Sequence, residues 1–285
     1  MIPVLDINIT NKCNYACKYC YTPTFNSDDV DIETFKKFLD LAKALDSKYI
    51  ELCGGEPLLH PNLKELVKLA KEKGFGLILR TNGIFLSQNI DLISENFSWV
   101  GISLDGVAKN NDLMRYSKTN LSSEEKFSIP ISAFFELKKK NPKIKLILST
   151  MVSSVNCKGL KEFEKYLLNN LVPFDIWKMY RFIPSDYRAK ENKGDYYLSK
   201  KKFKEISEKI NTNLIKKKLN ARVIFSPGKD TGGPCFFVST KGDVWVGSTN
   251  VLNINEKTIS QIKNILLKRK ELKSIIKNKK ETYLD

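Results

Sequence analysis

Short apolar runs that are typical of strands alternate with amphipathic stripes that are typical of helices along most of the chain. Six runs are predicted as strands, at residues 4–9, 48–53, 76–81, 99–104, 143–152 and 174–183. Helical spacing fills the intervals between them. The fourth helix is predicted to open at Pro130 and end near Lys140, and the sixth to span 201–218. This alternation predicts an α/β fold in which helices cover a parallel sheet.

Six strand-helix units are too few for a complete eight-fold barrel, so we expect a partial (βα)6 TIM-type barrel. The pattern changes after residue 226. From there a hairpin (235–240 and 243–247) and a basic amphipathic helix (257–277) are predicted. We therefore expect a core domain at 1–226 and a small C-terminal hairpin-plus-helix extension at 227–285. Ligands of parallel α/β sheets bind at the carboxyl ends of the strands, which directs attention to the residues that follow each strand.

Three of the six cysteines, Cys13, Cys17 and Cys20, lie in one short loop directly after the first predicted strand. A structural zinc site needs four ligands, and the chain has neither a second Cys-x-x-Cys pair nor any histidine besides His60. A [4Fe–4S] cluster normally takes four thiolates, so three would leave one iron open to another ligand. A structural zinc knuckle and redox-active thiols remain as alternatives.

Further motifs follow the next three predicted strands. They are Gly54-Gly55-Glu56-Pro57, Thr81-Asn82-Gly83 and Ser103-Leu-Asp105. Glycines allow close backbone approach to a ligand, and a carboxylate can accept an ammonium group. Together with the Cys-x3-Cys-x2-Cys spacing and the aromatic Tyr19, this order of motifs resembles the radical S-adenosylmethionine (radical SAM) superfamily.

The resemblance implies one [4Fe–4S] cluster, held by Cys13, Cys17 and Cys20, together with bound S-adenosylmethionine (SAM). An electron from the cluster would cleave SAM to a 5′-deoxyadenosyl radical, which abstracts hydrogen from a substrate. Tyr19 would lie against the adenine, and Glu56 would accept the methionine ammonium. The remaining SAM contacts implied by the motifs are Gly54, Gly55, Pro57, Thr81, Asn82, Ser103 and Asp105.

The C-terminal extension resembles the auxiliary-cluster region of peptide-modifying radical SAM enzymes, but it lacks the cysteines that would hold a second cluster. Some similar epimerases use a late cysteine as a hydrogen-atom donor, a role that Cys235 could take. The alternative is that Cys235 is an inert buried thiol. We expect a ribosomally made peptide as substrate, altered by epimerisation or crosslinking. The alternatives are a nucleotide or other phosphorylated metabolite, or a non-catalytic iron–sulfur or zinc module.

Charge adds a weaker expectation. The chain carries 48 Lys and Arg against 32 Asp and Glu, a formal net charge of +16, and only six of the basic residues are Arg. Base readout favours Arg, so a solvated basic surface is preferred over a nucleic-acid partner. No apolar run reaches the roughly 20 residues of a membrane span, and the start lacks a basic signal-peptide region. We expect a cytoplasmic enzyme without a membrane partner, supplied with electrons by a protein such as flavodoxin or ferredoxin.

Overall fold

The computed structural model describes residues 2–20, 28–117, 119–184, 187–228, 236–247 and 249–283. The strands in these ranges are β1 (Val4–Thr10), β2 (Tyr49–Gly54), β3 (Gly76–Thr81), β4 (Trp99–Ser103), β5 (Lys145–Val152), β6 (Ile176–Arg181), β7 (Arg222–Ser226), β8 (Phe236–Val238), β9 (Asp243–Val246) and β10 (Thr249–Asn253). The α-helices are α1 (Ile32–Ala44), α2 (Leu63–Glu72), α3 (Ile90–Asn96), α4 (Ala108–Met114), α5 (Ser123–Lys140), α6 (Leu160–Asn169), α7 (Tyr187–Glu191), α8 (Lys193–Tyr196), α9 (Lys200–Lys209), α10 (Thr212–Leu219), α11 (Ile259–Leu267) and α12 (Glu271–Tyr283).

The chain divides into two compact units. Unit 1 consists of Met1–Cys13, Thr22–Arg80 and Thr231–Asp285, and unit 2 consists of Asn14–Tyr21 and Thr81–Asp230. In unit 2 the strands follow the order β4-β5-β6-β7, and all three pairs are parallel. The sequence analysis missed β7, whose five residues are exposed or only half-buried and so show no buried apolar face.

In unit 1 the strand order is β10-β9-β8-β1-β2-β3. The predicted hairpin is confirmed in the described residues, because β8 and β9 pair antiparallel. It does not stand apart from the core, since β8 pairs parallel with β1 through Asp6↔Phe237 and Ile7↔Val238. The predicted fold class, α/β with parallel strands joined by helices, is confirmed, while the boundary at 226/227 stays a prediction.

Helix α5 differs from its prediction at its start. It begins seven residues before Pro130, because Ser122 and Glu125 form a capping box: the Ser122 side chain accepts from Glu125 N, and the Glu125 side chain accepts from Ser122 N. Pro130 therefore lies inside the helix and is buried. Gly83 lies against it, so that a Cβ on that glycine would come within 2.7 Å of the proline ring. The proline ring therefore packs closely against the turn after β3.

Two predicted helices are each divided in the structure. The predicted helix at 201–218 consists of α9 and α10, and α10 starts afresh where the side chain of Asn211 accepts from Leu214 N. The predicted helix at 257–277 consists of α11 and α12. Helix α11 begins with a capping box between Thr258 and Gln261. In the first case the apolar period continues across a break at which the Asn211 side chain caps the new helix.

No helix in the described part of the chain is long and apolar enough to cross a membrane.

A buried polar cluster, formed by Asp6 of β1, Glu51 of β2, Arg80 of β3 and both Lys279 and Tyr283 of α12, joins the last helix to the sheet within unit 1. Lys279 Nζ lies 2.6 Å from Asp6 Oδ1 and 3.3 Å from Glu51 Oε2. Arg80 Nε lies 3.4 Å from Glu51 Oε1, and its Nη2 donates to the hydroxyl of Tyr283 at 2.6 Å. Tyr283 in turn donates to Glu51. The cluster thus holds α12 by ion pairs as well as by its apolar face.

The two carboxyl groups of this cluster differ in acidity. Burial and the neighbouring Glu51 charge raise the pKa of Asp6 to about 7. Burial also opposes ionisation of Glu51, but the Lys279 and Arg80 charges and the Tyr283 hydroxyl outweigh it and lower the Glu51 pKa to about 2. Glu51 is therefore the carboxylate on which the two cations converge.

Replacing Lys279 with Met should destabilise the protein, because it leaves the buried Glu51 and Asp6 with Arg80 as their remaining cation in the cluster. Removing one partner of a buried ion pair costs about 3–5 kcal/mol. Urea unfolding at pH 7.5 measures the loss. The control is Lys277→Met on the same helix, because the Lys277 side chain is 81% exposed and its contact with Glu281 is 3.8 Å. Equal midpoints for the two variants would contradict the assigned role of the cluster.

Replacing Asp6 with Asn should remove a pH dependence of stability. A carboxyl group whose pKa rises from 3.8 to about 7 on folding binds its proton more tightly in the folded state. Its stabilising contribution is complete below the unfolded pKa and is lost as pH rises toward the folded pKa. The unfolding free energy of the wild type should therefore fall relative to Asp6→Asn between pH 4 and 7 and level off above. A constant difference across that window would show that Asp6 does not titrate there.

Candidate active site

The cysteine loop, defined as residues 11–20, follows β1 directly. Cys17 is buried, and Cys13 and Cys20 are half-buried. A turn in which Cys20 N donates to Cys17 O at 3.2 Å brings these two residues together in unit 2. Burial raises the pKa of the Cys17 thiol to about 11. Within the described ranges, no group of three or more Cys, His, Asp or Glu side chains stands arranged as a metal site.

In unit 1 the two glycines after β2 contact the start of this loop. Gly55 N donates to Thr10 O and Glu56 N donates to Lys12 O, each at 2.7 Å. A Cβ on Gly55 would lie 2.2 Å from Lys12 O, and one on Gly54 would lie 2.3 Å from Thr10 O. Gly54 also has φ +137°, a conformation that L side chains rarely adopt. The glycines therefore allow two backbone segments of the protein to approach each other. The sequence analysis had expected the glycines to allow a ligand to approach the backbone.

Glu56 and Pro57 form the turn that follows. The Glu56 side chain is completely buried, and its Oε1 accepts from Leu58 N at 3.2 Å, which caps the short 3-10 helix Pro57–Leu59. Pro57 is also buried, at the first position of that helix. The lone histidine, His60, bonds through Nε2 to Val30 O at 3.1 Å. These contacts fix the direction of the Glu56 carboxylate.

A hydrogen-bonded triad in unit 2 consists of Tyr19, Asp105 and Arg115. The first two are predicted site residues, and Arg115 is not. The hydroxyl of Tyr19 donates to Asp105 Oδ2 at 2.5 Å. Arg115 Nη1 donates to the hydroxyl of Tyr19 at 2.6 Å and to Asp105 Oδ2 at 3.3 Å. The second oxygen of Asp105 accepts from Met151 N at 2.7 Å. Asp105 therefore ties the cysteine loop to the ends of β4 and β5.

Burial dominates the electrostatics of this triad. Asp105 is 1% exposed, and desolvation raises the pKa of its carboxyl group despite the opposing charge of Arg115. Burial likewise raises the pKa of Tyr19 well above its ordinary value. Arg115 is the residue that the sequence analysis missed. The available signal was its residue type, since an arginine is uncommon in this lysine-rich chain and forms a planar fork that suits a carboxylate.

The segment after β3 also contacts the cysteine loop in unit 2. Asn82 Nδ2 donates to Asn14 Oδ1 at 2.7 Å, while Asn82 Oδ1 accepts from Ile84 N at 3.1 Å. Thr81 Oγ1 accepts from Gly83 N at 3.0 Å. Both predicted residues therefore shape their own turn. Asn14 Nδ2 is buried and has no hydrogen-bond partner in the described part of the chain.

Of the remaining residues, Ser103 and Cys53 do not take part in the contacts described above. Ser103 ends β4 half-buried and is aligned with Ser149 of β5. Cys235 lies outside the described residues, so its role as hydrogen-atom donor stays a prediction. Cys53 is buried and donates to Asn8 Oδ1 at 3.1 Å, as expected for an inert thiol.

Comparison with known proteins identifies the family to which these motifs correspond. The family model of the radical SAM superfamily matches residues 7–128, which include every predicted cysteine ligand and strand-end motif. Residues 7–128 therefore form a radical SAM domain. It is 29% identical over 185 residues to an S-adenosylmethionine-dependent nucleotide dehydratase of Selenomonas ruminantium, an alignment that covers 62% of this chain and 65% of the dehydratase.

Solved structures share the fold of this chain. Streptococcus suis SuiB bound to precursor peptide SuiA matches with a TM-score of 0.71 at 12% identity, covering 96% of this chain and 67% of SuiB. Native anSMEcpe with bound AdoMet matches with a TM-score of 0.70 at 22% identity, covering 96% of this chain and 82% of anSMEcpe. The matched regions span less than two thirds of the first curated relatives' own lengths.

Radical SAM proteins use a [4Fe–4S] cluster and SAM, and the residues present fit both groups. The three thiols of the cysteine loop are the donors that iron–sulfur clusters take. The buried, unpartnered Asn14 Nδ2 is a hydrogen-bond donor in the same loop. Metal binding deprotonates a coordinating thiol, so cluster binding would overcome the raised pKa of Cys17.

Replacing Gly55 with Ala should weaken both stability and cluster uptake, because its Cβ would meet the carbonyl group of Lys12, which precedes Cys13. Overpacking of this kind costs about 1–3 kcal/mol. Chemical unfolding and the iron content after anaerobic reconstitution measure the two effects. The control is Gly194→Ala, because a Cβ there has nothing within 4 Å. The close approach would be unimportant if Gly55→Ala matched this control in both measurements.

Proposed function

We propose that this chain is a single-cluster radical SAM enzyme that abstracts a hydrogen atom from a nucleotide substrate. The observation that carries this proposal is the cysteine loop, in which three thiols lie within eight residues and whose start is held by Gly55 and Glu56. When bound, the cluster and SAM supply an electron and a 5′-deoxyadenosyl radical. The protein's part is to bind, orient and shield these groups.

The residues proposed to serve these groups come from the motifs that follow the strands. Cys13, Cys17 and Cys20 would ligate the cluster. The buried Glu56 carboxylate would accept the ammonium of SAM in a charge-assisted bond. Tyr19 would lie against the adenine, Ser103 and Asp105 would serve the ribose, and Thr81 and Asn82 would also contact SAM.

The contacts of Asp105 refine its proposed part. Because Oδ1 accepts from Met151 N and Oδ2 from Tyr19 and Arg115, Asp105 acts first as an anchor for the tyrosine. A ribose hydroxyl would have to share these oxygens. We therefore assign direct contact with the ribose to Ser103, which is half-buried at the end of β4.

A nucleotide is favoured over a peptide on two grounds. A relative with sequence similarity along 62% of this chain is a nucleotide dehydratase, whereas SuiB, at 12% identity, supports the fold alone. The net charge of +16 would guide a polyphosphate by long-range attraction. The hairpin that had suggested peptide modification has a structural task as well, because β8 covers the edge of β1.

The test is anaerobic reconstitution followed by reduction with dithionite in the presence of SAM. We expect 5′-deoxyadenosine from the wild type and from Cys157→Ala, and background amounts from Cys17→Ala. Adding ribonucleoside triphosphates deuterated on the ribose should place deuterium in the 5′-deoxyadenosine, which mass spectrometry detects. Each transfer breaks one C–D bond of the nucleotide and forms one C–D bond in the product.

Two outcomes would contradict the proposal in different ways. A fully loaded cluster that yields no 5′-deoxyadenosine would indicate a non-catalytic iron–sulfur module. Formation of 5′-deoxyadenosine with deuterium taken from labelled peptides, and none from nucleotides, would favour a peptide as the substrate.

A further inference from the structure

Arg115 is a largely covered cation that contacts the cysteine loop from outside it. Its side chain is 12% exposed, and its Nη1 donates both to the hydroxyl of Tyr19 and to Asp105. The guanidinium carbon also lies over the ring of Tyr15, 5.6 Å from the centroid. Two of these three partners, Tyr15 and Tyr19, flank Cys17 in the sequence.

The backbone next to Arg115 binds the same loop. Ala16 N donates to Tyr116 O at 2.7 Å, and Tyr15 forms an antiparallel bridge with Ser117. The loop segment 15–19 is therefore held by residues 115–117 through backbone bonds, side-chain bonds and a cation–π contact at once. Such redundancy orients a loop more rigidly than a single contact does.

The other end of this arrangement is equally well anchored. Asp105, which accepts from Arg115 and Tyr19, also accepts from Met151 N, and its backbone carbonyl accepts from Asn156 Nδ2 at 2.7 Å. The ring of Tyr19 lies 6.2 Å from that of Tyr196. Arg115 therefore bridges the cysteine loop to the backbone segments of unit 2 that hold Asp105.

Arg115 also places a charge beside the cysteine loop. An arginine is protonated at every pH at which the protein is folded, and its guanidinium contacts Tyr15 and Tyr19, which flank Cys17. Net charge, hydrogen bonds and burial around the ligands set the reduction potentials of iron–sulfur clusters. A fixed positive charge stabilises the reduced state, which carries one more negative charge than the oxidised state.

We infer that Arg115 is a positioning residue that holds the cysteine loop around Cys17 and raises the reduction potential of the cluster bound there. The inference rests on the proposed function for its second half. Its first half concerns the chain alone and can be measured without the cluster.

The metal-free measurement is the rate at which iodoacetamide alkylates Cys17 in the full chain, read site by site by mass spectrometry. We expect Arg115→Gln to alkylate at least tenfold faster than the wild type, because the loop loses its side-chain anchors. The control is Arg222→Gln, which removes a positive charge at the exposed first residue of β7. Equal rates in Arg115→Gln and Arg222→Gln would overturn the positioning role.

The loaded measurement is a potentiometric titration of the reconstituted protein followed by electron paramagnetic resonance. In Arg115→Gln the ratio of reduced to oxidised cluster at a fixed potential should fall about tenfold, a shift of about 59 mV for a one-electron couple. Arg222→Gln should leave the ratio unchanged. A ratio in Arg115→Gln equal to that of the wild type would overturn the electrostatic role.

Arg115→Lys keeps the proposal testable if Arg115→Gln does not fold. Lysine preserves the charge but not the planar fork, so this variant should keep a potential near that of the wild type while Cys17 alkylates faster. A potential as low as that of a charge-removing variant would contradict the inference. If the wild type itself accepts no cluster, the proposed function fails, and the alkylation rates still decide the positioning role.

Discussion

The site depends on the close approach of two backbone segments in unit 1. The N–H groups of Gly55 and Glu56 donate to the carbonyls of Thr10 and Lys12, immediately before Cys13. Any side chain at the two glycines would collide with these carbonyls, so the approach is available to glycine alone. The same contact that fixes the first cysteine also fixes the turn that directs Glu56. A binding motif and a structural contact are therefore one feature here.

Charge is distributed unequally between interior and surface. Most of the lysine excess is solvated, while a few charged groups are buried and paired. In unit 1, Glu51 forms ion pairs with Lys279 and Arg80, and these pairs connect α12 to β2 and β3. In unit 2, Asp105 accepts hydrogen bonds from Arg115 and Tyr19. Buried charges need specific partners because desolvation is costly, so each pair selects one arrangement of its elements.

Asp105 illustrates how a motif residue acquires a second task. The resemblance implies contact with the ribose of SAM, and both carboxylate oxygens already accept hydrogen bonds from protein groups. The carboxylate thus organises the cysteine loop before any ligand arrives. Preorganisation of this kind reduces the entropy lost when cofactors bind. The Asp105 side chain thus connects the end of β5 to the cysteine loop.

By itself, the sequence determined the α/β class and the order of radical SAM motifs, because hydrophobic period and motif spacing are local properties of the chain. Local signals also misplaced the start of α5 at Pro130, where the capping box of Ser122 and Glu125 decides. Only the tertiary structure revealed that Arg115 joins Tyr19 to Asp105, that Gly55 contacts Lys12, and that β8 extends the sheet at β1. These contacts link residues far apart in the chain, so no periodicity or spacing encodes them.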